Sequence, residues 1–184
     1  MKLLYHFSEE SNIKLFKPRV KHNRQDMPPV VWAIDQEHEH TFYFPRNCPR
    51  IVYRRNEGIS AEDNLKFFGI TNADTVITVE NHWYETIMNT TTYRYSMPAE
   101  SFKLFDKTAG YYISEHEITP TEIKPINNLL KRQVDLGIDV RFTTNLSPLR
   151  EALRHSTVSD FGIHRFENAR TVCEIPEINN PTSL

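Results

Sequence analysis

The sequence predicts an α+β fold, a mixed sheet with flanking helices in a single domain. Three observations point there. Several apolar stretches are short and alternate as half-buried strands do, residues 3–7 and 75–79 most clearly. Elsewhere the apolar residues recur at helical spacing, as with Ile126, Leu129, Leu130 and Val134. At 184 residues the chain is long enough for one well-buried core and short for two. The domain is therefore placed over residues 1–175, with 176–184 as a C-terminal tail.

In order, residues 3–7 make the first strand, and Ser8 opens a turn or short helix through Ile13, Leu15 and Phe16 that Pro18 ends. Residues 21–27 offer nothing apolar except Met27 and read as an exposed loop closed by Pro28-Pro29. A second buried strand follows over 30–34. Residues 36–44 run as a helical turn towards Pro45, and 51–53 form a strand. Ser60 and Asp63 resemble a capping box ahead of Leu65, Phe67 and Phe68. After the strand at 75–79, Trp83, Ile87 and Met88 sit at helical spacing, 91–97 is a strand stopped by Pro98, and 111–113 is extended. Residues 121–136 read as the clearest helix, with Gly137 at its exit. A strand over 138–142 and a helix opening at Ser147-Pro148 complete the series.

Composition narrows the function classes. Hydrophobic residues make up 39% of the chain, charged residues 25%, and the net charge is -2. No global field draws such a chain to nucleic acid or to an anionic membrane, so any such binding rests on a local patch. The apolar run before Ser8-Glu9-Glu10 is too short for a signal peptide or a membrane span. The cytoplasm is the default location, and no membrane partner is expected. Cys48 and Cys173 lie in no Cys-x-x-Cys pattern and read as idle thiols. With five glycines the chain lacks a Gly-rich phosphate loop, and it carries no Gly-x-Ser-x-Gly or His-Glu-x-x-His. P-loop, Rossmann, serine-hydrolase and zincin chemistry are set aside.

His6 is the leading candidate site residue. It alternates with Tyr5 and Phe7, shares a strand face with Leu4 and Ser8, and places a polar imidazole among apolar neighbours. A second candidate feature is basic and aromatic. Arg19, Arg46, Arg50 and their neighbours Lys17, Lys21, Arg24, Arg54 and Arg55 interleave with Phe42, Tyr43, Phe44 and Tyr53, a composition that suits phosphates or stacked bases. Scattered surface arginines are the plainer account of the same residues. Glu37-His38-Glu39-His40 holds metal-ligating types, but no motif supplies a third ligand, so a solvated polar turn is the reading and no metal is expected.

Two resemblances add to this. Leu3-Leu4-Tyr5-His6-Phe7-Ser8, Pro29-Val30-Val31-Trp32-Ala33-Ile34-Asp35, Phe44-Pro45-Arg46-Asn47-Cys48-Pro49-Arg50 and Ile118-Thr119-Pro120-Thr121-Glu122-Ile123 resemble, in order, an uncharacterised bacterial protein family with no activity to carry across. More distantly, the Tyr-His strand, the apolar strand and the late Ile-x-Pro-x-x-Ile resemble the ADP-ribosyltransferase-like fold. That resemblance implies NAD as cofactor, a nucleotide or RNA as partner, and ADP-ribosyl transfer or NAD cleavage as activity. It implies that His6 binds the nicotinamide ribose and that Tyr43 packs on the nicotinamide, with Trp32 and Tyr5 as competitors. A glutamate steadies the positive charge of the transition state; the family spacing puts it near Tyr111 or Tyr112, whereas the carboxylates here are Glu115 and Glu117. RNA 2'-phosphotransferases of the same fold work without it. Ser8, Arg19, Trp32, Arg46 and Arg50 complete the candidate ligand-binding set. The alternative is a non-catalytic ligand-binding or interaction protein that keeps the fold without the chemistry.

Overall fold

The computed structural model describes residues 3–20 and 25–170. Lys21, Arg24, Cys173 and the tail from 176 lie outside them. Among the described residues ten strands and four α-helices follow one another: β1 Leu4–Ser8, β2 Val31–Asp35, β3 Arg50–Arg54, α1 Ala61–Phe68, β4 Thr75–Glu80, α2 Tyr84–Asn89, β5 Thr92–Met97, β6 Lys103–Asp106, β7 Tyr111–Ser114, β8 Glu122–Ile126, α3 Leu129–Asp135, β9 Asp139–Thr143, α4 Ser147–Arg154 and β10 Phe161–His164. The α+β class is as the sequence predicts, but the strands divide into two sheets. They belong to two compact units, Met1–Arg46 with Glu85–Leu136 and Asn47–Tyr84 with Gly137–Leu184. No helix among the described residues is long and apolar enough to cross a membrane.

The first unit holds a six-stranded antiparallel sheet in the order β6-β7-β2-β1-β5-β8. Register decides which side chains share a face. Leu4 opposes Met97, His6 opposes Tyr95 and Ser8 opposes Tyr93, while Tyr5 opposes Ser96 and Phe7 opposes Arg94. On the first of these faces Leu4, Val31, Ala33, Tyr95, Met97 and Tyr112 form a core that Phe16 and Ile118 cover. Phe16 and Ile118 exchange backbone hydrogen bonds of 2.8 and 2.9 Å, and Arg19 and Val30 do the same at 3.1 and 3.2 Å. The segment after β1 is therefore extended, where the sequence suggests a turn or a short helix. Its chain is held by the sheet, because the buried Tyr95 hydroxyl donates to the Glu10 carbonyl and accepts from Ile13 N–H. Tyr95→Phe is expected to cost about 1–2 kcal/mol, the worth of a buried hydroxyl bridging two backbone groups, read as a shift of the urea midpoint with an unchanged slope.

The largest correction concerns residues 121–136. Only Leu129–Asp135 is helical, and Glu122–Ile126 is an edge strand paired with β5 alone. Pro125 explains the difference: inside a helix it would remove a hydrogen bond and clash, whereas an edge strand tolerates it. Asn128, at φ 53, turns the chain between the two elements. Val134 is 61% exposed, and the neighbouring Gln133 is the buried side chain, its Nε2 donating to the His40 carbonyl at 2.7 Å.

The second unit has a four-stranded sheet, β10-β3-β4-β9, in which β4 and β9 are parallel. Parallel neighbours need a crossover connection, and here it runs through residues 85–136. Phe67 and Phe68 of α1 and Leu153 of α4, with Leu146 just ahead of α4, pack on Ile51, Tyr53 and Val76 of the sheet. Ser60 caps α1 by accepting from Asp63 N–H at 3.1 Å. The reciprocal half of a capping box is missing, since the Asp63 carboxylate instead accepts from the N–H and hydroxyl of Thr157, whose Oγ1 in turn accepts from Ser60 N–H. The Thr157 hydroxyl, and after it the Thr157 N–H, hold the Asp63 carboxyl below its usual range.

Candidate functional site

His6 sits where two strands part. β1 and β2 pair only at Leu4–Asp35 and Tyr5–Ile34, and one residue further on the His6 Nδ1 lies 2.8 Å from the Trp32 carbonyl. A carbonyl only accepts, so Nδ1 carries the proton, and in the neutral ring Nε2 is the basic nitrogen. The ring also rests on Phe16, with centroids 4.7 Å apart. The strand is an inner one, next to the 30–35 run, as the alternation of its residues suggests.

The face that carries His6 also carries Ser8 and Tyr93, and it is spanned by Phe16 and Ile118. Ser8 is buried and accepts from Glu10 N–H at 3.2 Å. Glu115 and Glu117 stand exposed in the segment ahead of Ile118, and Glu117 faces Lys17 at 3.5 Å. His6 and the segment bearing these carboxylates thus belong to the same side of the sheet.

Tyr43 belongs to the other side. Its ring meets the edge of Phe7 at 5.8 Å, and Phe7 opposes Arg94. Burial, and then the neighbouring Glu39, push the Tyr43 phenol well above its ordinary value. Glu39 accepts from Arg94 Nη1 at 3.2 and 3.1 Å, and the Arg94 guanidinium covers the Tyr5 ring at 4.4 Å. Trp32 extends the same face: its indole packs edge-on against Phe105 and Tyr111, and Tyr111 meets Phe42, which stacks on Phe7. This side of the sheet is an aromatic layer around a largely buried ion pair, and it holds all three aromatics considered for the nicotinamide.

The arginines separate. Arg19 and Arg46 are exposed, and Arg46 N–H donates to Glu9 Oε1 at 2.8 Å. Arg50, in the second unit, is 4% exposed and donates from Nη1 to the Cys48 carbonyl at 3.0 Å. Burial pushes the neighbouring Cys48 thiol up to about 12. His38 and His40 do not converge, since His38 turns to Asp35 and His40 Nδ1 donates to the Glu37 carbonyl at 3.0 Å. Among the described residues no three His, Cys, Asp or Glu side chains come together as metal ligands.

Sequence reasoning missed one arrangement. Asp35, the last residue of β2, accepts at Oδ1 from both the N–H and the Nδ1 of His38, at 3.0 and 2.6 Å. Gly110, at φ +70, lies against both side chains. The available signal was Asp-x-x-His at a strand end, the spacing at which a carboxylate reaches back to a turn N–H.

No curated protein and no solved structure matches the chain. The model of a family of unknown function, DUF6886, matches residues 5–169, which takes in both sheets and every candidate residue named above. The chain belongs to that family.

Proposed function

We propose that this protein binds a nucleotide or the end of a nucleic acid on the His6 face of its six-stranded sheet, and that the chemistry there is NAD cleavage or ADP-ribosyl transfer. One observation carries the reading: the His6 ring is oriented by the Trp32 carbonyl at the point where β1 and β2 stop pairing. An imidazole held this way is oriented before a ribose hydroxyl arrives, so little ordering is needed on binding. Phe16 is the aromatic partner on that face. Breaking the nicotinamide glycosidic bond builds positive charge on the ribose, which Glu115 or Glu117 would offset. Arg19 and Arg46 would meet phosphate; Arg50, being buried, has no part in this reading.

A second reading is a non-catalytic ligand-binding protein. It is favoured by the pairing of Glu117 with Lys17, which spends the carboxylate's charge locally. A thermal-shift series with NAD, ADP-ribose, mononucleotides and short RNAs separates the readings. A ligand at a hundred times its dissociation constant stabilises by about 2.7 kcal/mol, and His6→Ala should abolish that shift. NAD consumption that falls in Glu115→Gln or Glu117→Gln assigns the carboxylate. Binding without NAD consumption supports the second reading, and no shift with any of these ligands removes the first and leaves an interaction protein.

A further inference from the structure

The Asp35–His38 pair does more than close a turn. We propose that it is a proton-transfer dyad, with Asp35 as the positioning carboxylate and His38 as the base that takes a proton from a water or hydroxyl nucleophile. The turn itself needs only the bond from His38 N–H to Asp35 Oδ1, at 3.0 Å, which any residue but proline at position 38 would supply. The second bond, from Nδ1 at 2.6 Å, adds nothing to the turn and orients the ring. An ionised carboxylate only accepts, so Nδ1 carries the proton and Nε2 holds the lone pair.

The arrangement stands on rigid elements. Asp35 N–H donates to the Gly110 carbonyl at 3.0 Å, which ties the carboxylate's backbone to the strand next to β2. A Cβ on Gly110 would stand 2.6 Å from the His38 ring at Cγ and 2.7 Å from Asp35 Oδ1. The ring therefore occupies space that only a glycine backbone leaves. The side chains are 10% and 18% exposed, dry enough for the carboxylate to stabilise an imidazolium.

The full step rests on the NAD reading above and on the ligand's ribose reaching His38 as well as His6; the dyad does not. The hydroxyl or water proton passes to His38 Nε2 as its oxygen bonds to ribose C1'. The C1'–N bond breaks with its electron pair on nicotinamide, which leaves neutral, and Asp35 stabilises the imidazolium.

The test uses the full chain with NAD. His38→Gln should slow NAD consumption by about a hundredfold or more while leaving the NAD thermal shift unchanged, and Asp35→Asn should slow it less. An unchanged rate in folded His38→Gln overturns the proposal. If the parent protein consumes no NAD, the NAD reading fails and the dyad is judged by diethyl pyrocarbonate, as it also is where His38→Gln does not fold. Selective modification of His38, slowed in Asp35→Asn, then supports it, and an unmodified His38 overturns it.

Discussion

Gly110→Ala should destabilise the first unit by about 3 kcal/mol. At φ +70 an L-residue carries a strain of about 1–2 kcal/mol. The new methyl also displaces either the His38 ring or the Asp35 carboxylate, breaking a charge-assisted bond worth about 1.5–3 kcal/mol. The smaller entropy of the unfolded alanine chain returns about 0.4–1 kcal/mol. Because most of the loss passes through one ring, His38→Ala should reduce the cost of Gly110→Ala by about 1 kcal/mol or more, which a double-mutant cycle measures in urea. Additive effects would mean that the glycine answers to backbone strain alone and that the ring is loosely held.

Glu80→Ala should be the most damaging single change in the second unit, at about 3–5 kcal/mol. The Glu80 side chain is fully buried. Its oxygens accept from Leu146 N–H at 3.2 Å, at the entrance to α4, and from Arg170 N–H at 3.2 and 3.1 Å. Truncation leaves the buried Leu146 N–H and the half-buried Arg170 N–H without this acceptor and opens a cavity beside them. A carboxylate there also suits the positive end of α4. Glu80→Gln keeps one acceptor oxygen and should lose about half as much. Equal losses in the two variants would mean that charge, and not the acceptor count, holds this corner.

The arrangement of the first unit bears directly on the transferase resemblance. His6 and the segment holding Glu115 and Glu117 share one side of the sheet, whereas Tyr43 packs on Phe7 across it. On the reading proposed above, the aromatic role the resemblance would give Tyr43 falls instead to Phe16, whose ring touches His6. Phe16→Ala should weaken NAD or nucleotide binding along with His6→Ala, while Tyr43→Phe leaves binding intact and removes a hydroxyl paired with Glu39.

Local pattern was enough for the α+β class and for the first five strands, whose apolar runs carry their own period. It was enough for α1 and α4, which announce themselves through Ser60 and through Ser147-Pro148. The place of His6 on an inner strand followed from alternation together with the apolar character of residues 3–7 and 30–34. Three things needed the tertiary structure. Residues 8–20 read as a turn or short helix but take backbone partners from Ile118 and Val30, because two donors and two acceptors satisfied by distant segments outweigh a weak local preference. Residues 122–126 became a strand because β5 offered an edge that a proline can occupy. The Asp35–His38–Gly110 contact joins residues far apart in the chain, and a sequence read in windows cannot say which backbone will lie against which ring. Which candidates meet is likewise a matter of register: a residue's parity along β1 is written in the sequence, but the segments that come to cover each face of the sheet are chosen by packing.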